Sequence, residues 1–309
     1  MKPVQDAQVN FPMRLSVVVP HRGDPVQLTE CVAALASQQA EFDEIIVVAN
    51  GSADNAAAIR AHAAAICTSA IVLHEPKIGA GPARNAGVAA SSGDWLAFID
   101  SDCLAAPDWI AAGRRALSTR AVFGGAIVIT PAVAGQPTAI EAFDMEFGVD
   151  AARFLKRSRH LLTANLFCTR AAFDLIGAFE TGVPEDKDWS YRALARGIPL
   201  ASAADVVVEH PALISWPQLR YRWRRMTAEE FEFHRGRPLG ALAFWLRSWL
   251  VLASIAPHAV RMLRSKRARP VPPGSVLVLG RSRFDRFVFA QKLVIKCLLQ
   301  PGHEARATS

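Results

Sequence analysis

Trp95-Leu96-Ala97-Phe98-Ile99-Asp100-Ser101-Asp102 is a hydrophobic run with the length and composition of a buried strand, and it ends in two carboxylates one residue apart. At the C-terminal end of a strand, alternation sends Asp100 and Asp102 to the same side. Two like charges held there repel each other unless a cation or a hydrogen-bond donor stands between them. A hard divalent ion with oxygen ligands, carrying a diphosphate as its other partner, fits such a pair. A surface turn that happens to hold two aspartates is the plain alternative, and the rest of the chain has to decide between them.

Upstream, Leu15-Ser16-Val17-Val18-Val19-Pro20 is a β-branched run closed by proline, which predicts a strand running into a loop. Leu28 to Gln38 carries Leu28, Cys31, Val32 and Leu35 on one side and predicts a helix. Glu44 to Val48 predicts a second strand, followed by the turn-rich stretch 49–55. An alanine-rich helix returns from Ala56 to Ala65, Ala70 to His74 predicts a third strand, and Gly79 to Ser92 contains another helix. Four alternations of strand and helix call for a parallel sheet with helices on its faces. In such sheets ligands bind beyond the carboxyl ends of the strands. Pro20-His21-Arg22, Asn50-Gly51-Ser52 and Asp100-Ser101-Asp102 all fall there, which supports the ligand-site reading of the aspartate pair.

Gly79-Ala80-Gly81-Pro82-Ala83-Arg84 is a poor dinucleotide fingerprint. It follows the third strand rather than the first, and Arg84 stands where the last small residue should be. It reads instead as the opening of a helix whose first turn and Arg84 face a phosphate or a base. Downstream, Ala121 to Ile129 predicts a strand in which Gly124-Gly125 permits close backbone approach. Ala139 to Leu155 reads as a loop and a helix with mixed faces, His160 to Cys168 as a strand, and Val206 to Val208 as a final strand closing at Glu209-His210. Glu185-Asp186 precedes a helix, where carboxylates suit the N-terminal end and, taken alone, mark a cap.

Five of these stretches, in this order, resemble glycosyltransferase family 2, the inverting sugar transferases with the GT-A fold. They are Ser16-Val17-Val18-Val19-Pro20, the run Ile45 to Asp54, Gly81-Pro82-Ala83-Arg84-Asn85-Ala86-Gly87, Phe98 to Asp102, and Pro184-Glu185-Asp186-Lys187-Asp188-Trp189. The similarity spans roughly Leu15 to His210. It implies an α/β fold of GT-A type, with a mostly parallel central sheet and helices on both faces, over residues 1–212. It also implies roles. Pro20, His21, Asn50, Arg84, Asp100 and Ser101 would line the site of a nucleoside-diphosphate-sugar donor. Asp102 and His210 would hold a divalent cation, Mn²⁺ or Mg²⁺. Asp186 would be the general base, and Asn165, Glu185 and Trp189 would face the acceptor. The usual acidic pair before Gly-Ser is Ala49-Asn50 here, so UDP, dTDP and GDP all stay open as the nucleotide.

Composition sets the remaining bounds. The chain has 309 residues, 51% of them hydrophobic and 20% charged, which marks a globular protein. Five scattered cysteines without a Cys/His cluster support neither a disulfide framework nor a zinc site. No apolar core of signal-peptide length precedes the first strand, so a cytoplasmic home is expected. The net charge of +7 is uneven. Residues 213–309 hold 18 Lys/Arg against 5 Asp/Glu, whereas residues 1–212 hold 17 against 23.

The basic tail interleaves Tyr221 and Trp223 with arginines, continues through an apolar stretch from Leu239 to Ala256, and ends in the mixed run Phe284 to Leu299. It predicts a helical extension lying on the cytoplasmic face of a membrane, with a helical cover or a dimer interface as alternatives. The charge is not read as a nucleic-acid surface, because no such motif accompanies it and the acidic body would repel a polyanion. The sequence thus points to transfer of a sugar to a hydroxyl on a glycan or lipid-linked acceptor. A sugar nucleotidyltransferase would need a Gly-rich, lysine-bearing loop after the first strand, where this chain has His21-Arg22-Gly23-Asp24-Pro25. A membrane-associated nucleotide-sugar-binding protein without catalysis is the other alternative.

Overall fold

The computed structural model describes residues 13–235 and 239–299. The stretch before Met13, in which no signal peptide is expected, lies outside them, as do Arg237 and Arg306 of the basic tail. In chain order the elements are β1 (Leu15–His21), α1 (Thr29–Ala36), β2 (Glu44–Asn50), α2 (Ala53–Ile66), β3 (Ile71–Glu75), α3 (Ala80–Ala90), β4 (Trp95–Ile99), β5 (Leu104–Ala105), α4 (Trp109–Leu117) and β6 (Val122–Thr130). They continue with α5 (Ala139–Phe147), α6 (Ala151–Ser158), β7 (Asn165–Thr169), α7 (Arg170–Ile176), α8 (Glu185–Ala195), β8 (Ala201–Pro211), α9 (Trp216–Arg235), α10 (Gly240–Ala253), α11 (Ile255–Leu263) and α12 (Ser275–Leu299). The chain forms two compact units, residues 1–128 with 150–210, and residues 129–149 with 211–309.

The first unit is built on a sheet of order β3-β2-β1-β4-β7-β6-β8-β5. β1 pairs in parallel with both β2 and β4, and β2 with β3, as the strand–helix alternation requires. From β7 onward the sheet turns antiparallel: β7 pairs that way with β4 and β6, and β8 with β5. The unbroken apolar runs follow from burial on both faces. Val17, Val19, Ile45 and Val47 meet α1, α2 and α4 on one face, through residues such as Leu35, Ile59 and Trp109. Val18, Ile46, Val48 and Phe98 meet α3, α7 and α8 on the other, through Ala83, Phe173 and Trp189. Each such aliphatic or aromatic side chain contributes about 1.5–3 kcal/mol by leaving water. Helix α3 lies so close to the sheet that a Cβ at Gly87 would run into Val18.

The second unit includes a piece that the sequence had placed in the catalytic body. Helix α5 opens with a capping box between Thr138 and Glu141. It sends Phe143 and Phe147 into a core shared with Leu219, Trp223, Met262 and Leu279. Its mixed faces have a physical reason. Fully buried Asp144 accepts from Arg222 at 2.8 Å and from the Leu213 amide at 3.0 Å, and Glu146 binds Arg261 and the Ser265 hydroxyl. These carboxylates, distant in sequence, neutralise part of the tail's positive charge. A second small core joins Phe231, Phe244, Ala290 and Val294. Among the described residues no single helix is long and apolar enough to cross a membrane. Helices α10 and α11 reach that length and apolarity only as a pair, bent by 42°.

Candidate active site

The sheet's carboxyl end carries the polar residues that the sequence singled out. Strand β4 stops at Ile99, and the Cys103 amide donates to the Asp100 carbonyl at 2.9 Å, so Asp100-Ser101-Asp102 is a tight turn rather than strand. Strand alternation therefore does not govern the two carboxylates, and each finds its own partner. Asp100 Oδ1 accepts from Arg84 Nη2 at 2.7 Å, while Asp102 Oδ2 lies 3.6 Å from His210 Nε2 at the end of β8. The donor that relieves the expected repulsion is Arg84.

Arg84 is buried, 3% exposed, in the first turns of α3, and its other terminal nitrogen donates to Glu185 Oε1 at 3.2 Å. Burial alone would favour the neutral guanidine. Asp100, Asp186 and Glu185 outweigh that and raise its pKa above the ordinary value. One cation thus ties the end of β4 to the start of α8. Asp186, in the first turn of α8, accepts from the Thr163 hydroxyl at 2.6 Å and from the Thr163 amide at 3.4 Å. Desolvation pushes its carboxyl up to about 6, against the opposing pull of Arg84 and of Thr163. A carboxylate poised there can take up and release a proton near neutral pH.

His21 is buried at the end of β1. Its Nε2–H donates to the Asp24 carbonyl at 3.2 Å, which leaves Nδ1 to accept from the Ser101 hydroxyl at 2.9 Å. Burial lowers its pKa despite the nearby carbonyl, so the ring is neutral and steadies the turn. Beyond the ends of β1 and β2 lies an open cleft of about 860 Å³ whose walls include Arg22, Asp24, Asn50, Ser52, Asn55 and Ile78. Half-exposed Pro20 immediately precedes His21 at this strand end.

Three expected ligand contacts are corrected by burial and hydrogen bonding. Asn50 gives both amide hydrogens to the carbonyls of Glu75 and Lys77, at 3.0 and 2.8 Å, and its oxygen accepts from the Gly79 amide. It is a clamp on the loop between β3 and α3, with no donor left for a base. Asn165, 1% exposed, donates to the carbonyls of Ala126 and Val206 and accepts from Trp109 Nε1 at 2.9 Å. It ties strands together and does not face an acceptor. Trp189 is 1% exposed, packs against Phe173 and Phe179, and spends its Nε1–H on the Gly177 carbonyl. It is core, not a sugar platform. Conversely, Thr163 was not anticipated. A lone threonine before a strand carries no signal until the fold brings it to Asp186.

A divalent cation is implied at Asp102 and His210. The pair supplies one hard oxygen and one imidazole nitrogen, and the Asp102 side chain is 56% exposed. Among the described residues no group of three such side chains gathers. The donor set therefore suits an ion that takes its remaining ligands from a phosphate-bearing substrate and water, which is how Mg²⁺ is commonly held.

The sequence pattern described as Glycosyl transferase family 2 matches residues 16–173, just over half the chain and the whole run from β1 to α7. The chain belongs to that family. The glycosyltransferase AglE of Haloferax volcanii is 30% identical over 206 residues, which are 64% of this chain and 67% of that protein. The uncharacterized glycosyltransferase YibD of Escherichia coli is 32% identical over 94 residues, 30% of this chain and 27% of that one. Among solved structures, the mannosyltransferase PcManGT from Pyrobaculum calidifontis, in complex with GDP-Man and Mn²⁺, superposes with a TM-score of 0.59. At 17% identity, over 95% of this chain and 89% of that one, this likeness shows a shared fold of GT-A type. The protein is a family 2 glycosyltransferase. The matched segment includes Arg84, Asp100 and Asp102, whereas Glu185, Asp186 and His210 lie beyond it.

Proposed function

We propose that the protein moves a sugar from a nucleoside-diphosphate donor to an acceptor hydroxyl with inversion, in a single displacement assisted by a divalent cation. The observation that carries this reading is the cluster around Arg84, which binds Asp100 of the turn and Glu185 of α8 and faces Asp186, a carboxylate raised to about 6. In this reading the nucleoside lies in the cleft, and Asp100, one oxygen of which is held by Arg84, offers the other to the ribose. With Asn50 committed to its loop, selection among nucleotides falls to the cleft walls, Arg22, Asp24 and Asn55. Mn²⁺ or Mg²⁺ held by Asp102 and His210 would offset the charge that builds on the departing diphosphate. Asp186 takes the proton of the acceptor hydroxyl as it attacks the anomeric carbon from the opposite face, with Glu185 beside it. Asp186→Asn tests the assignment. It should keep nucleoside-diphosphate binding and lose transfer by about 10²–10⁴-fold, and unchanged turnover would remove Asp186 from the mechanism.

In this reading the reaction takes place at the cytoplasmic face of a membrane, and the surface of the second unit supports it. Helix α10 buries Gly240, Phe244 and Ser248 and leaves Leu242, Leu246, Trp249 and Leu250 exposed. Leu263 is exposed at the end of α11, followed by the basic run Arg264, Lys266, Arg267 and Arg269. An apolar helix face followed by clustered cations suits an anionic lipid surface, and a glycan or lipid-linked acceptor would be met there. Co-sedimentation with anionic vesicles that weakens with salt supports this; equal recovery with neutral and anionic vesicles, or with neither, refutes it.

A further inference from the structure

The cations of the first unit are not spread evenly. Arg153, Lys156, Arg157 and Arg159 fall within one short run that holds no acid. This run is most of α6 and the residue that follows it. Arg159 adopts the left-handed conformation, φ 50° and ψ 42°, at a helix end where glycine is the usual residue. A side chain kept there at steric cost invites a functional explanation. Arg157, Ser158 and Arg159 face Tyr191 and Leu194 of α8 across a second cavity, about 380 Å³ in volume, with no acidic side chain in its lining. Lys187 adds a further cation, 5.8 Å above the Tyr191 ring.

The cavity is wired to the base. From Ser158 the chain runs antiparallel along α8 and is fastened to it at three points. Tyr191 Oη donates to the Ser158 carbonyl at 3.1 Å, the Leu161 amide donates to Ser190 Oγ at 3.0 Å, and the Thr163 hydroxyl donates to Asp186 Oδ1 at 2.6 Å. Tyr191 follows Asp186 by five positions on α8, about 7.5 Å along the axis and about 140° around it. An acceptor held at Tyr191 therefore has to extend around α8 to reach Asp186, which takes a glycan or lipid longer than one sugar. Guanidinium forks recognise phosphate and carboxylate oxygens, and a tyrosine ring offers its face to a sugar.

We propose that the cavity between the end of α6 and α8 is an acceptor subsite for an oxyanion. In it Arg157 and Arg159 hold a phosphate or carboxylate of the acceptor while the acceptor's attacking hydroxyl reaches Asp186. The inference rests on Asp186 being the base. It makes the acceptor an anionic glycan or a lipid phosphate, and it gives Tyr191 and Leu194 the part of walls.

Calorimetry on the full chain tests it, with glucose 1-phosphate, methyl glucuronide and a short-chain prenyl phosphate as anionic probes and methyl glucoside as the neutral one. Mn²⁺ and a saturating nucleoside diphosphate keep phosphates out of the donor cleft. The variant is Arg157→Ala with Arg159→Gly, glycine being free to keep the left-handed turn. Wild type should bind at least one anionic probe, more weakly as salt rises, and should ignore methyl glucoside. The variant should lose at least 10-fold in that affinity while binding nucleoside diphosphate as before. Binding of the sugar phosphate or glucuronide identifies a glycan source, and binding of the prenyl phosphate alone a lipid source. The proposal is overturned if no anionic probe binds wild type, or if the variant binds them equally well. Failure of wild type to bind any nucleoside diphosphate, measured separately, would strike the reading of the cleft instead.

Discussion

Replacing Thr163 by valine should move the pH at which the enzyme works without touching substrate. The hydroxyl of Thr163 donates to Asp186 Oδ1 at 2.6 Å, whereas the amide of the same residue is a weaker contact at 3.4 Å. Valine keeps the shape and deletes the stronger bond. A hydrogen bond to a charged group is worth about 1.5–3 kcal/mol, and 1.36 kcal/mol is one pKa unit, so the carboxyl should rise by about one to two units. The sign follows from which form the bond favours: the hydroxyl stabilises the anion, and removing it favours the acid. A base must be deprotonated, so activity is lost as pH falls through the pKa. With Asp186 as the base and its carboxyl at about 6, that limb should stand at about 6 in wild type. In the variant it should stand at about 7–8, which at pH 7 lowers transfer by about 2- to 10-fold and restores it in alkaline buffer. The profile of kcat/KM against pH measures this in the free enzyme. An acid limb left at about 6, or a loss equal at every pH, would refute the coupling of Thr163 to the base.

Asn165→Leu should cost stability and not acceptor affinity. It strips partners from Trp109 Nε1 and from the carbonyls of Ala126 and Val206, each buried loss being worth about 1–3 kcal/mol, and urea unfolding reads the sum. A variant of wild-type stability with a raised acceptor KM would return Asn165 to the acceptor site. Asp102→Asn should weaken nucleoside-diphosphate binding at least 10-fold in Mn²⁺ and leave the metal-free affinity nearly unchanged. Calorimetry with and without EDTA checks it, and intact binding in Mn²⁺ would remove Asp102 as a ligand.

The parallel half of the sheet was legible because β1, β2 and β4 are buried on both faces and write that burial as unbroken apolar runs rich in Val and Ile. The antiparallel half was not. The place of β7 between β4 and β6 is a long-range pairing that leaves no local pattern, and the strand expected from His160 begins only at Asn165. Helix α5 misled for a related reason. Asp144 and Glu146 look like surface charges until Arg222 and Arg261 meet them from far along the chain. The motifs fall together at the sheet's carboxyl end, but residue type could not say which way an amide or indole faces. Asn50, Asn165 and Trp189 read the same whether they bind ligand or backbone, and the fold spends all three internally.

Arg84 changes what substitutions at this site can mean. Its charge persists in a buried place only because Asp100, Glu185 and Asp186 surround it, and the same charge restrains the pKa that burial raises at Asp186. In the proposed reaction the donor side and the acceptor side therefore share one cation. Removing Asp100 leaves Arg84 with fewer anions and pulls harder on Asp186, weakening the base while also removing a donor contact. Removing Glu185 does the same from the other side. Effects of paired substitutions in this cluster should then depart from additivity, since each single change already alters the partner that the second would remove. A loss of turnover at Asp100 is for that reason a statement about both halves of the reaction, and only the pH profile separates them.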